Sequence, residues 1–232
     1  MTPLPPYQTN ELFATDFQPH MDLPGFFPGA GGFFHGFPKT RKRFLFFGTD
    51  FGPLGYQQQL RSTGGEPESV VTLRQLKLIV TQAGIRLDEC FLINAVLCMR
   101  HGDTTIGKFP IWQRYPDYVR ACASWHRREI AECKPDVVIL MGLPHLKHFA
   151  RLLFPELAQY WAGLKTMKSV YANGKEVFSL PDGMNVLLML HPSFWHAHPV
   201  ALKAKAIEHL NIFNSPYSGR ESDALYLSKD GP

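Results

Sequence analysis

The sequence predicts a single α/β domain with a central, mostly parallel four-stranded sheet and helices on both faces. Three observations carry that expectation. Four short apolar runs are each bounded by polar or turn residues. Longer stretches of helical periodicity alternate with them. The runs are apolar throughout rather than at every second position, as in strands buried on both faces.

The elements follow in order. RFLFFG, from Arg43, is the first strand; the basic KTRKR, from Lys39, leads into it and could contact phosphate, although short basic runs are commonly solvated surface. FLINAVL from Phe91, DVVILMG from Asp136 and NVLLML from Asn185 are the other three. Helices are predicted from Val70 to Ala83, Asp117 to Glu132, Pro144 to Tyr160 and Pro199 to Phe213. Residues 1–42 form an arm rich in Pro, Gly and Phe, with neither helical nor strand periodicity. Its aromatics would be costly to leave in water, so part of it is expected to pack on the domain of residues 43–213. Residues 214–232 read as a polar tail.

Composition narrows the function classes without choosing one. At 232 residues, with 45% hydrophobic and 19% charged residues, the chain suits one substantial globular domain, expected to be a monomer. No apolar run is long enough to span a bilayer, and the N-terminus carries no basic segment leading into an apolar one, so no membrane partner and a cytoplasmic location are expected. Four cysteines lie far apart with no C-x-x-C pair, which predicts buried free thiols and argues against a zinc site or a disulfide framework; no metal and no cofactor are expected. A net charge of +4 with ten histidines is compatible with a polyanionic partner.

Ligands of such sheets bind beyond the carboxyl ends of the strands. Three chemically rich segments fall there: GTDFGPLGY from Gly48, Asn94 at the end of the second run, and HPSFWHAHP from His191. The glycines at 48, 52 and 55 follow neither common phosphate-binding pattern, which disfavours a nucleotide-cofactor loop. Taken one by one, Asp50 could cap a turn, Asn94 could bond neighbouring backbone, His191-Pro192-Ser193 could end a strand, and Phe194 and Trp195 could be core.

In this order and at these strand ends, the three segments resemble the uracil-DNA glycosylase superfamily over about residues 43–213. The first resembles its water-activating loop, most closely that of the single-strand-selective monofunctional branch; FLINAVLCMR is more like the classical uracil-excising branch. The third resembles its His-Pro-Ser motif. The resemblance implies a monofunctional DNA glycosylase of base excision repair, acting on a flipped base in single- or double-stranded DNA. It implies that Asp50 stabilises the sugar cation and orients water, and that His191 stabilises the departing base anion. Asn94 would read the base edge, since its amide accepts from the ring N–H of uracil and donates to the adjacent carbonyl. Phe51 or Tyr56 would stack on the base. Ser193, Phe194, Trp195 and His196 would lie in the loop that contacts DNA, with the apolar pair as a wedge. His198 and Lys203 are further candidates for phosphate contact.

Three departures bear on these expectations. Gly52 stands where the classical branch has a bulky tyrosine that excludes thymine, which implies room for 5-substituted uracils. Phe51 occupies a position where the first loop ordinarily carries proline, which admits an alternative: a catalytically weak or inactive protein that binds DNA or a flipped base. Cys98 and Cys122 resemble only the last two ligands of the iron-sulfur branch, and no cysteine precedes Cys90, so no cluster is expected.

Overall fold

The computed structural model describes residues 43–49, 71–96 and 116–215. The chain forms β1 (Phe44–Gly48), α1 (Val71–Gln82), a 3-10 turn (Leu87–Glu89), β2 (Cys90–Asn94), α2 (Pro116–Cys133) and β3 (Val137–Met141). A π-helical turn (His145–Phe149) follows, then α3 (Ala150–Leu153), α4 (Leu157–Tyr160), α5 (Met167–Ala172), β4 (Val177–Ser179), β5 (Asn185–Met189), a second 3-10 turn (Pro192–Ala197) and α6 (Val200–Asn214).

Among the described residues the sheet has five strands, in the order β2-β1-β3-β5-β4. All neighbours are parallel except the β4–β5 pair, which is antiparallel. The four expected strands are the parallel ones. The fifth, VFS, is only three residues long and partly exposed, too short and too little apolar to stand out in the sequence. The chain leaves β1 for β2 on one side and then crosses to β3 on the other. The winding of the strand order therefore reverses between β1 and β3, where an open α/β sheet forms its ligand crevice.

Alternation along the central strands feeds two cores. Leu45, Phe47, Val138, Leu140, Val186 and Leu188 pack with α2 to α5, while Phe44, Phe46, Val137, Ile139, Leu187 and Met189 pack with α1 and α6. Each buried side chain of this kind contributes roughly 1.5–3 kcal/mol relative to exposure, so β1, apolar and buried at Phe44 to Phe47, is a rigid base for whatever follows it.

The predicted helix from Pro144 to Tyr160 is broken into a π-helical turn and two short helices. Phe154 is extended (φ −131°, ψ 97°) because it precedes Pro155, whose ring disfavours the helical region for its neighbour. The α5 helix starts at a Thr166 cap whose hydroxyl accepts from the Ser169 N–H at 3.0 Å, a start signal that the short length of the helix obscured.

The sheet's amino-terminal edge is tied by Arg43. Its guanidinium donates to Asp136 (3.0 Å), Glu89 (3.3 Å), Asn214 (3.3 Å) and the Phe213 carbonyl (3.0 Å). One side chain thus fastens β1 to β3, the first 3-10 turn and the end of α6, at the edge opposite the strand ends that carry the site. Among the described residues no helix is long and apolar enough to cross a membrane. Cys90 and Cys122 are buried in different cores.

Candidate active site

Four strand ends meet at the carboxyl edge of the parallel sheet. Gly48 closes β1 in register with Asn94, which closes β2. Pairing continues one step further, as Ala95 donates to the Gly48 carbonyl (2.9 Å) and Val96 to the Thr49 carbonyl (3.0 Å). The segment leading to Asp50 therefore leaves the sheet still fastened to β2.

Asn94 is half-buried, and its side chain lies across the end of β1. A Cβ added to Gly48 would stand far inside contact distance of Asn94 Oδ1 and 3.3 Å from its Cγ. Gly48 has no need of left-handed backbone; its missing side chain is what gives the amide its place.

His191 follows β5 and caps the second 3-10 turn. Its Nδ1 lies 2.7 Å from Ser193 Oγ and accepts from the Ser193 backbone N–H at 3.3 Å. A backbone N–H can only donate, so Nδ1 carries the lone pair and the proton of the neutral ring sits on Nε2. The turn thereby fixes both the orientation of the imidazole and the atom that can donate.

Gly142, after β3, supports His191 from the adjoining strand. It has φ +97°, donates to the Met189 carbonyl at 2.8 Å, and a Cβ there would lie 3.1 Å from His191 Cβ. The same turn holds His145, fully buried, whose environment includes the Phe47 and Gly48 carbonyls and the His191 ring. Burial first, and His191 next, push its pKa down to about 3, so it is neutral at physiological pH.

The residues after His191 divide by exposure. Phe194 is 62% exposed, its ring 6.2 Å from that of His191. Trp195 is 9% exposed and packs in the core with α1 and α6. Only Phe194 of this pair presents a large apolar surface to a partner. The 3-10 turn causes the split by sending adjacent side chains to different sides. His196 is exposed; His198 is held below its ordinary pKa by burial, then by Lys203 and His196, which places three basic groups near one another beyond the turn.

Asp50, Phe51, Gly52 and Tyr56 lie outside the described residues, as does Cys98. Asn94, His191 and Ser193 share the carboxyl edge of the sheet. Gly48, Gly142 and His145 join the site without having stood out as site residues in the sequence, although the third strand also ends in a glycine-bearing turn at the same edge. That strand-end position was the available signal.

Comparison with known proteins gives one family. Residues 35–212 match the model of the family described as Uracil DNA glycosylase superfamily. No curated protein matches the chain.

Proposed function

Because the chain belongs to the uracil DNA glycosylase superfamily, we propose that it is a monofunctional DNA glycosylase that hydrolyses the N-glycosidic bond of uracil or a 5-substituted or damaged pyrimidine in DNA. The observation that carries this reading is the bond from the Ser193 backbone N–H to His191 Nδ1, at the sheet edge that His191 shares with Asn94.

Cleavage of the bond between base and deoxyribose leaves positive charge on the sugar and negative charge on the base, so fixed groups that oppose both lower the barrier. The His191 Nε2–H donates to the carbonyl oxygen on which the base anion develops. Ser193 keeps that donor aimed, so no reorganisation is needed as charge appears. The Asn94 amide accepts from the uracil ring N–H and donates to the neighbouring carbonyl; cytosine reverses the pattern and would leave buried polar groups unpaired. Asp50 addresses the sugar cation and orients the water that attacks it. Phe51 or Tyr56 supplies the stacking ring, and Gly52 leaves room at the 5-position.

The target base must leave the stack, which costs a few kcal/mol and least in single strands and mismatches. Phe194 is the residue we assign to the gap, because its exposed ring adjoins His191. His196, His198 and Lys203 are the proposed phosphate contacts, and Trp195 serves the loop by anchoring the turn in the core.

The test is incubation of the purified protein with oligonucleotides containing uracil, hydroxymethyluracil or hypoxanthine, single- and double-stranded, followed by alkali. Strand breaks at uracil or hydroxymethyluracil are expected, abolished by Asp50→Asn with DNA affinity retained. A protein that binds these oligonucleotides but leaves no alkali-labile site on any, at enzyme excess, would be a binding protein of this fold.

A further inference from the structure

We infer that His145 is a positioning residue of this site: its imidazole latches the carboxyl end of β1 to the turn that supports His191, through a hydrogen bond to a β1 carbonyl that tightens when DNA is bound. The inference rests on the glycosylase reading above and deepens it.

Position comes first. His145 follows β3 in the turn whose Gly142 touches His191, and its own N–H is bonded to the Gly142 carbonyl at 3.3 Å. Its ring meets Phe149 edge-on at 5.9 Å, and Phe149 in turn packs on Phe47 of β1 and on His126 of α2. The groups that face the ring are the carbonyls of Phe47 and Gly48, His191 and His126. The imidazole thus stands between the strand that leads to Asp50 and the residue that receives the base anion.

Chemistry comes second. Neither ring nitrogen of His145 makes a hydrogen bond of full geometry among the described residues, although the side chain is fully buried and the Phe47 and Gly48 carbonyls stand close to it. Such a group destabilises a fold, and an apolar ring would suit this aromatic nest better. A buried donor held short of full geometry beside a site is a reservoir for a bond completed only in the complex, since bonds of this kind are often long in the free protein and tighten with substrate. The Gly48 carbonyl already accepts from Ala95 but has a second lone pair to offer. The π-helical turn that carries His145 is a geometry found frequently at functional sites. Because the ring stays neutral, it joins the two strand ends without placing a cation beside His191.

The test compares wild type, His145→Phe and His145→Gln in the full chain. The readouts are single-turnover base release from a uracil oligonucleotide, affinity for one carrying a tetrahydrofuran abasic analogue, and melting temperature. His145→Phe should melt no lower than wild type and bind the analogue within about twofold, yet release base at least about tenfold more slowly; His145→Gln, which can still donate, should recover most of the rate. Wild-type turnover in His145→Phe, or a Gln variant no better than Phe, overturns the inference. If wild type itself releases no base, the glycosylase reading fails separately. The latch is then decided by ring nitrogen chemical shifts of the histidines with the abasic analogue bound: a His145 N–H shift on binding supports it, and an unchanged signal overturns it.

Discussion

Gly48 and Asn94 occupy one space: the Asn94 amide lies where a side chain on Gly48 would be. The backbone of Gly48 is that of an ordinary strand residue, so alanine is tolerated by the chain and refused only by the amide. Gly48→Ala should keep the melting temperature within a few degrees while displacing Asn94, and lower kcat/KM on uracil DNA about 100-fold, the scale on which misplacement of about an ångström acts. Steady-state kinetics with a thermal melt checks both halves.

Gly142 stands in a similar relation to His191, with one difference. Its φ of +97° makes any side chain strained, and the added Cβ also meets His191 Cβ at 3.1 Å. Gly163, with φ +77° and nothing near, isolates the first effect. Both alanine variants should lose stability, about 1–3 kcal/mol each by the usual strain at such positions. Only Gly142→Ala should also lose turnover, as denaturant melts beside activity assays will show.

Ser193→Ala removes the hydroxyl from His191 Nδ1 but leaves the backbone N–H that fixes the tautomer. The loss is one hydrogen bond of about 1 kcal/mol, or about fivefold in turnover. A loss in kcat without change in the neutral tautomer, read from the ring nitrogen shifts, is the expected pair of results.

Phe194 and Trp195 should separate cleanly. Phe194→Ala is expected to leave stability untouched and to weaken excision from duplex more than from single strands, because only the duplex has a gap to fill. Trp195→Ala should cost about 3–5 kcal/mol of stability, as large aromatic truncations in cores do. Melting curves and paired duplex and single-strand rates distinguish them.

Acid should loosen the α6 side of the fold. Glu176, 2% exposed, is paired with Lys205 and accepts from or shares a proton with His209 at 2.9 Å. Burial pushes its carboxyl up, but the His209 and Lys205 bonds outweigh it and hold its pKa below the ordinary carboxylate value. A carboxyl lowered in the folded state contributes stability that is present above its unfolded pKa and lost as pH falls through the folded one. Glu176→Gln should therefore lower the melting temperature clearly at pH 7 and little near pH 3.

Much of this was legible in the sequence, and the limits have physical causes. The parallel strands are dense apolar runs because both their faces are buried, and such runs stand out. The edge strand Val177–Ser179 is short and half-solvated, so its pattern merges with the surrounding turns. Asn94 and His191 were visible because polar residues that end apolar strands are conspicuous. Gly48 and Gly142 were not, since their contribution is the absence of atoms beside another residue, which only the folded arrangement reveals. His145 reads in sequence as one more residue of a helix; the turn that buries it against β1 is set by packing rather than local pattern. The opposite fates of Phe194 and Trp195 likewise depend on the 3-10 geometry after Pro192.

In the proposed reaction Asn94 and His191 act on one base. Single-turnover release of free uracil from a single-stranded oligonucleotide, with the free base identified by mass, tests it most directly in wild type, Asn94→Ala, His191→Ala and the double variant. Wild type should release the base, each single variant should show a large loss, and the double variant should fall short of the product of the two losses, as for residues acting as a unit. Full release by either single variant, or none by wild type, would contradict it.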